Sequence, residues 1–175
     1  TLKVAQTLDG KIADGDGRSQ WITNVLSRKH VHLLRSRHDA VLIGANTVAL
    51  DDPQLTVRLV KGRNPVRVVL DGRFSSSPRA RIFSVQHAAR TLICSASNHV
   101  RMNPGKKKAL ERKGVSVIEL PGNRDGSLRL RDVLACLGSR GIGSILVEGG
   151  SHVFSHFLEG GHADKLLMFI APKLL

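Results

Sequence analysis

The chain has 175 residues, 41% hydrophobic and only 3% aromatic, with 27 Lys and Arg against 14 Asp and Glu for a net charge of +13. That length suits one domain with a sizeable core, and no apolar run approaches the ~20 residues that span a bilayer, so no membrane partner is expected. The basic surplus points to a polyanionic partner, either nucleic acid or a phosphorylated small molecule.

Leu2 to Leu8 alternates loosely and reads as a strand ended by the turn pair Asp9-Gly10. A Gly-rich loop over residues 14–19 leads to the single tryptophan, Trp21. Thr23 is the predicted N-cap of a helix running to about His38, with Leu26, Leu33 and Leu34 on its apolar side. Ala40 to Ile43 is a continuous apolar strand, and Gly44 to Leu50 a short helix stopped by Asp51-Asp52-Pro53. Further strands are predicted over Val66 to Leu70, Thr91 to Cys94 and Val115 to Leu120, with a basic helix from Asn103 to Lys113. Leu130, Val133, Leu134 and Leu137 form the apolar face of another helix. Strand Ile145 to Val147, the turn Glu148-Gly149-Gly150 and a helix opening at Ser151 come next, with Val153, Phe154, Phe157 and Leu158 inward. Leu166 to Ile170 is the last strand. Alternation of strand and helix predicts an α/β fold, a mostly parallel central sheet with helices on both faces. Cys94 and Cys136 read as reduced thiols, since they form no C-x-x-C pair.

The segment from Ile145 to His156 is the strongest candidate site. A helix start preceded by two glycines offers unpaired main-chain N–H groups to an anion. Glu148 stands at the carboxyl end of the strand, where open α/β sheets place their ligand crevice. No G-x-G-x-x-G or G-x-x-x-x-G-K-[ST] pattern occurs, so neither a Rossmann fingerprint nor a P-loop is indicated. Arg58, in the loop after Asp51-Asp52-Pro53, suits a phosphate clamp; Arg35 reads first as a partner of its own helix C-terminus. His152 and His156 stand at i, i+4, a spacing that can bind zinc, but no H-E-x-x-H frame or nearby cysteine accompanies them, so no metal is expected. His30 and His32 fall on different faces of their helix and are weaker metal candidates still. Nucleic acid is the weaker partner, because base stacking needs exposed aromatics and the chain has five Phe, one Trp and no Tyr.

Leu2 to Ala13 followed by Ser19-Gln20-Trp21-Ile22-Thr23, Gly44 to Arg58, Val68-Val69-Leu70-Asp71, Ile145 to Gly150 and Ile170 to Leu175 resemble, in this order, the reductase domain of bacterial and plant riboflavin biosynthesis. That domain is the C-terminal half of a bifunctional deaminase–reductase, and its fold is similar to dihydrofolate reductase. The resemblance implies NADPH-dependent reduction of 5-amino-6-(5-phosphoribosylamino)uracil to the ribitylamino compound. It assigns Lys3 and Glu148 to catalysis, and Ser19, Arg35, Leu55, Arg58 and Glu148 to substrate binding, with Arg35 and Arg58 on the phosphate. To the cofactor it assigns Ala5, Trp21, Thr47, Asp51, Ser95, Gly150, Ser151, His152, Val153, Phe154, Ser155 and His156. It further implies a single reductase domain over residues 1–175 whose relatives continue into more strands, a deaminase domain lying upstream, a homodimer, and a cytoplasmic location (a plastid in plants). Arg18 and Lys165 depart from the family by standing where acidic residues are usual. Another reductase of dihydrofolate-reductase-like fold acting on a pteridine or pyrimidine, a basic nucleic-acid-binding module and a catalytically silent half-domain are the alternatives.

Overall fold

The computed structural model describes residues 1–13, 15, 23–84, 86 and 90–174. Seven strands form one sheet: β1 (Leu2–Thr7), β2 (Ala40–Gly44), β3 (Val66–Leu70), β4 (Thr91–Ala96), β5 (Ser116–Leu120), β6 (Ile145–Val147) and β7 (Leu166–Ala171). Their order is β5-β4-β3-β2-β6-β1-β7, and all pairings between these strands are parallel. The helices are α1 (Val25–Arg37), α2 (Ala45–Asp51), α3 (Ser97–Arg101), α4 (Pro104–Arg112), α5 (Leu130–Gly138) and α6 (Ser151–Glu159).

Burial follows from that arrangement. All residues of β2 and β4 are buried, as strands covered on both faces require. Successive residues of β2 feed opposite faces. Ala40 and Leu42 join a cluster with Val133 and Leu137 of α5 and Val153 and Phe157 of α6. Val41 and Ile43 join a second cluster with Val48 of α2, Val100 of α3 and Leu110 of α4. On the edge strand β7, Leu166, Met168 and Ile170 are half exposed, and the side chains alternate as one-sided burial predicts.

From β2 the chain moves outward through β3, β4 and β5, then returns to insert β6 between β2 and β1. That return is fixed by Asp39, whose Oδ2 accepts hydrogen bonds from the main-chain N–H groups of Gly143 and Ser144 and from the Ser144 hydroxyl. The reversal puts the carboxyl ends of β2, β3 and β6 side by side, the position at which such sheets bind ligands.

The structure corrects three local expectations. Asn24 rather than Thr23 caps α1, its Oδ1 accepting from Ser27 N–H at 2.9 Å. Leu26 is 73% exposed, and α1 buries Val31 and His32 instead. Leu158 of α6 is 56% exposed. A helix seated over a sheet end buries a narrower stripe than its sequence offers.

Asp71 at the end of β3 ties down the loop that follows, accepting from the Ser75 N–H and hydroxyl through Oδ1 and from Ser76 N–H through Oδ2. Next to it, a Cβ on Gly72 would overlap the carbonyl oxygen of Gly126, in a loop closed by the Gly122–Leu128 bridge. Main chain cannot swing aside as a side chain can. Gly72→Ala is therefore expected to destabilise the protein by about 1–3 kcal/mol, seen as a lower Tm; an unchanged Tm would show that the loop gives way freely.

Candidate active site

Two arrangements meet at the carboxyl end of β6. The first is charged. Leu2 pairs with Val147, so Lys3 lies level with Glu148. α1 brings Arg35 to the same point. Its Nε donates to Glu148 Oε1 at 2.6 Å and its Nη2 to Oε2 at 3.0 Å, while Nη1 donates to the Thr56 carbonyl at 3.3 Å. Lys3 Nζ lies 4.0 Å from Glu148 Oε2, and the Lys3 and Glu148 side chains are 17% and 7% exposed. Lys3 also sits over the Phe169 ring, 5.8 Å from its centroid.

Burial by itself would raise the Glu148 carboxyl. Arg35, by charge and hydrogen bonds, overrides it with help from Lys3 and His32, holding the group below the ordinary carboxylate range. Burial likewise works against the Arg35 cation, and Glu148 reverses the effect. His32, one turn before Arg35, is pushed down to about 4 by burial and by the Arg35 and Arg58 guanidinium groups. A neutral imidazole and a doubly bonded ion pair thus occupy one face of α1.

The second arrangement is a cavity of about 460 Å³, within the usual range for small-molecule sites. Gly44, Leu70 and Gly72 form its floor at the ends of β2 and β3, and Ala45, Asn46, Thr47, Leu50 and Asp51 of α2 one wall. Gly150, Ser151, His152, Val153 and His156 supply the α6 side, and Ile12, Ala13, Ser127 and Leu128 close the rim. Neither α2 nor α6 has a side-chain cap, so amide groups at both helix starts are left for a ligand or water. The two glycines before α6 differ in use. A Cβ on Gly149 would lie 3.0 Å from Val153 Cβ, and one on Gly44 would lie 2.8 Å from Val153 Cγ2, so these glycines let α6 press against β2. A Cβ on Gly150 would meet only Thr47 Oγ1, at 3.7 Å; that glycine leaves room for a ligand at the helix start.

Lys3, Arg35 and Glu148 are thus brought together, and Thr47, Asp51, Gly150, Ser151, His152, Val153 and His156 line the cavity. Leu55 is buried with φ +53° and Arg58 is exposed on the loop beside Arg35. Ala5 lies partly buried on β1 and does not line the cavity; nor do Phe154 and Ser155 of α6. Ser95 is fully buried in β4 with an unpartnered hydroxyl and does not line the cavity. Ser19 and Trp21 lie outside the described residues. Sequence reasoning passed over Gly44, Asn46, Gly72, Ser127 and Leu128. Gly44 had a usable signal, since a glycine between an apolar strand and a helix is the same pattern as Gly149-Gly150.

The domain, a parallel α/β sheet with its crevice where the strand order reverses, is of the dihydrofolate-reductase-like class. The RibD C-terminal domain model matches residues 1–175, and the chain belongs to that family. It is 40% identical over 176 residues to the riboflavin biosynthesis protein RibD of Aquifex aeolicus, matching 100% of this chain and 46% of that one. It is 34% identical to the chloroplastic riboflavin biosynthesis protein PYRR of Arabidopsis thaliana, covering 99% of this chain and 28% of that protein. The chain thus spans less than half the length of these relatives. Among solved structures, the deaminase/5-amino-6-(5-phosphoribosylamino)uracil reductase of Thermotoga maritima superposes with TM-score 0.80 at 41% identity, covering 99% of this chain and 44% of that one. Acinetobacter baumannii RibD superposes with TM-score 0.83 at 30% identity, covering 99% of this chain and 46% of that one.

The charged cluster makes one physical prediction. Glu148 titrates below its ordinary value of 4.5 in the folded protein, so the pair's contribution is complete above that pH and fades as pH falls through the folded value. Arg35→Met strands a buried carboxylate and should cost about 3–5 kcal/mol at pH 7. Denaturant titrations should show the deficit shrinking as pH falls toward and through the lowered folded-state value of Glu148, below which the carboxyl is neutral in both proteins; a deficit independent of pH would assign the loss to packing.

Proposed function

We propose that this domain reduces 5-amino-6-(5-phosphoribosylamino)uracil to its ribitylamino product with NADPH. The observation that carries the reading is the juxtaposition of the Lys3–Glu148–Arg35 cluster with a cavity bounded by two uncapped helix starts. The cavity fits a reduced nicotinamide cofactor on its own features. Open space at Gly150 and the amides of Ser151 and His152 suit a pyrophosphate, Thr47 and Asp51 offer hydrogen-bonding groups, and Ile12, Leu50, Leu70 and Leu128 give apolar walls. Arg73 follows Gly72 of the cavity lining and is exposed, its Nε donating to the Asp125 carbonyl at 3.2 Å; a cation at that point of the chain favours the more highly phosphorylated NADPH over NADH.

NADPH supplies the hydride that reduces C1′ of the ribose in its ring-opened imine form. The chain's residues do the rest. Arg58 meets the sugar phosphate; among the described residues its guanidinium is paired with no carboxylate and bonds only to the neutral Gln54 side chain. Lys3 holds a transferable proton at the reacting end, since adding hydride to C1′ requires a proton on the adjoining nitrogen. Glu148, 4.0 Å from Lys3 Nζ, attracts its ammonium by charge and accepts hydrogen bonds from the substrate's sugar or ring. Arg35, doubly bonded to Glu148, keeps that carboxylate charged and aimed, and so serves the site from behind rather than by gripping phosphate with all its donors. The Thermotoga relative is a deaminase as well as a reductase, and a deaminase is the class of enzyme that supplies such a substrate.

The test follows absorbance of the reduced nicotinamide with the ribosylaminouracil phosphate as substrate. No oxidation by the folded domain would refute the reading. Lys3→Ala should lower kcat about 10²–10⁴-fold with little change in Tm, because Lys3 stands 4.0 Å from Glu148, beyond hydrogen-bond reach. Glu148→Ala should lower both, because it strands Arg35. Equal losses of activity and stability in Lys3→Ala would make Lys3 structural.

A further inference from the structure

The loop from Asp52 to Arg58 has no regular structure, yet two of its non-glycine residues adopt left-handed backbone, Asp52 at φ +39° and Leu55 at φ +53°. Such residues persist only where surroundings over-determine them. Here the surroundings are side chains that take the main chain almost residue by residue. Buried Arg67 of β3 donates to the Gln54 carbonyl at 3.2 Å, and Arg35 to the Thr56 carbonyl at 3.3 Å. Asn64 Oδ1 accepts from Val57 N–H at 2.7 Å. The last fastening is His32. Its Nδ1 accepts from Arg58 N–H at 2.8 Å, with Leu59 N–H more distant at 3.4 Å.

That last bond needs an imidazole with a free Nδ1 lone pair, the tautomer carrying its proton on Nε2. His32 is 6% exposed, and the charged groups acting on it are Arg35 on its own helix, Arg58 on the loop and Glu148 beyond β6. Two cations against one anion, together with burial, keep the ring neutral. A protonated ring would lose the acceptor and set a third positive charge beside the two guanidinium groups.

We propose that His32 is a positioning residue of the phosphate-binding loop: through Nδ1 it holds the Arg58 main chain so that the guanidinium meets the sugar phosphate. This rests on the placement of that phosphate at Arg58 under the proposed function. The role is distinct from catalysis, since the bond is made to main chain. It makes His32 a determinant of preference for phosphorylated over unphosphorylated substrates.

The experiment compares the wild-type chain with His32→Leu, His32→Asn and Arg58→Ala. It measures Kd for ribose 5-phosphate and for NADPH, KM and kcat for the full substrate, and hydrogen exchange at the Arg58 amide. His32→Leu should raise the ribose 5-phosphate Kd and the substrate KM about tenfold, the effect of one unsatisfied donor, while speeding exchange at Arg58. Its kcat should fall far less, and NADPH affinity should stay within about twofold of wild type, below that same effect. His32→Asn, whose Oδ1 can accept in place of Nδ1, should recover most of the loss. Unchanged ribose 5-phosphate binding in His32→Leu, or equal weakening of both ligands, would overturn the proposal. So would an unchanged Kd in Arg58→Ala, which removes the placement beneath it. If His32→Leu does not fold, a nitrogen–nitrogen coupling across the bond in ¹⁵N-labelled wild-type protein decides the matter, its absence counting against the role. Ribose 5-phosphate bound normally by a chain that oxidises no NADPH would refute the reaction, and the Kd series would still decide the role of His32.

Discussion

The site depends on one buried interaction, the two-pronged bond between Arg35 and Glu148. Each group alone would be costly at that depth, and the two parallel hydrogen bonds between them offset that cost. The bond also locates elements far apart in sequence. α1 is tied to the end of β6, and Arg35's remaining bond to Thr56 fastens the loop after α2. His30 adds an edge-on contact with Phe169 of β7, 5.7 Å between centroids, so α1 is braced against both neighbours of β1. A carboxylate held charged, a lysine at its side and an arginine behind it form an electrostatic frame that needs little rearrangement when a ligand arrives.

The opposite wall is made by close approach rather than by charge. Val153 reaches β2 because Gly44 and Gly149 carry no side chains, and that contact seats the first turn of α6 against the sheet end. With the helix start thus fixed, Gly150 leaves its amides open toward Thr47. Two adjacent glycines have separate tasks, one in packing and one in access. A larger residue at position 149 would tilt the cradle, while one at 150 would fill it.

Much of this was legible in the sequence because strands and helices announce themselves by period. The continuous run Ala40 to Ile43, the face Leu130 to Leu137 and the Gly-Gly turn each follow from local rules, and they give the parallel sheet and its crevice. What local rules do not carry is partnership. Arg35 reads as a helix-end cation until Glu148, 113 positions away, is brought beside it. His32 reads as a stray histidine on a helix until the Arg58 amide is found at its ring nitrogen. Leu55 gives no hint of its left-handed backbone, since nothing in its side chain favours φ > 0. The capping of α1 shifted by one residue because Thr23 and Asn24 are both good caps and only tertiary placement chooses between them.

The two halves of the site are also joined by chain length. Glu148 belongs to the charged cluster and Gly150 to the cavity, and two residues of extended chain span at most ~7 Å. The acidic end of the frame and the amide cradle therefore cannot be far apart, whatever ligands they hold. Under the proposed function, a cofactor held at Gly150 and a sugar phosphate held at Arg58 would bring their reacting ends toward β6, where Lys3 stands level with Glu148. The surplus of positive charge fits that proposal: Glu148 is engaged by Arg35 and Lys3, so the proposed anions would fall to helix starts and to cations such as Arg58, which among the described residues has only a neutral side-chain partner. Replacing that neutral partner with a carboxylate would pair the Arg58 guanidinium from within and withdraw the cation that the proposed phosphate needs.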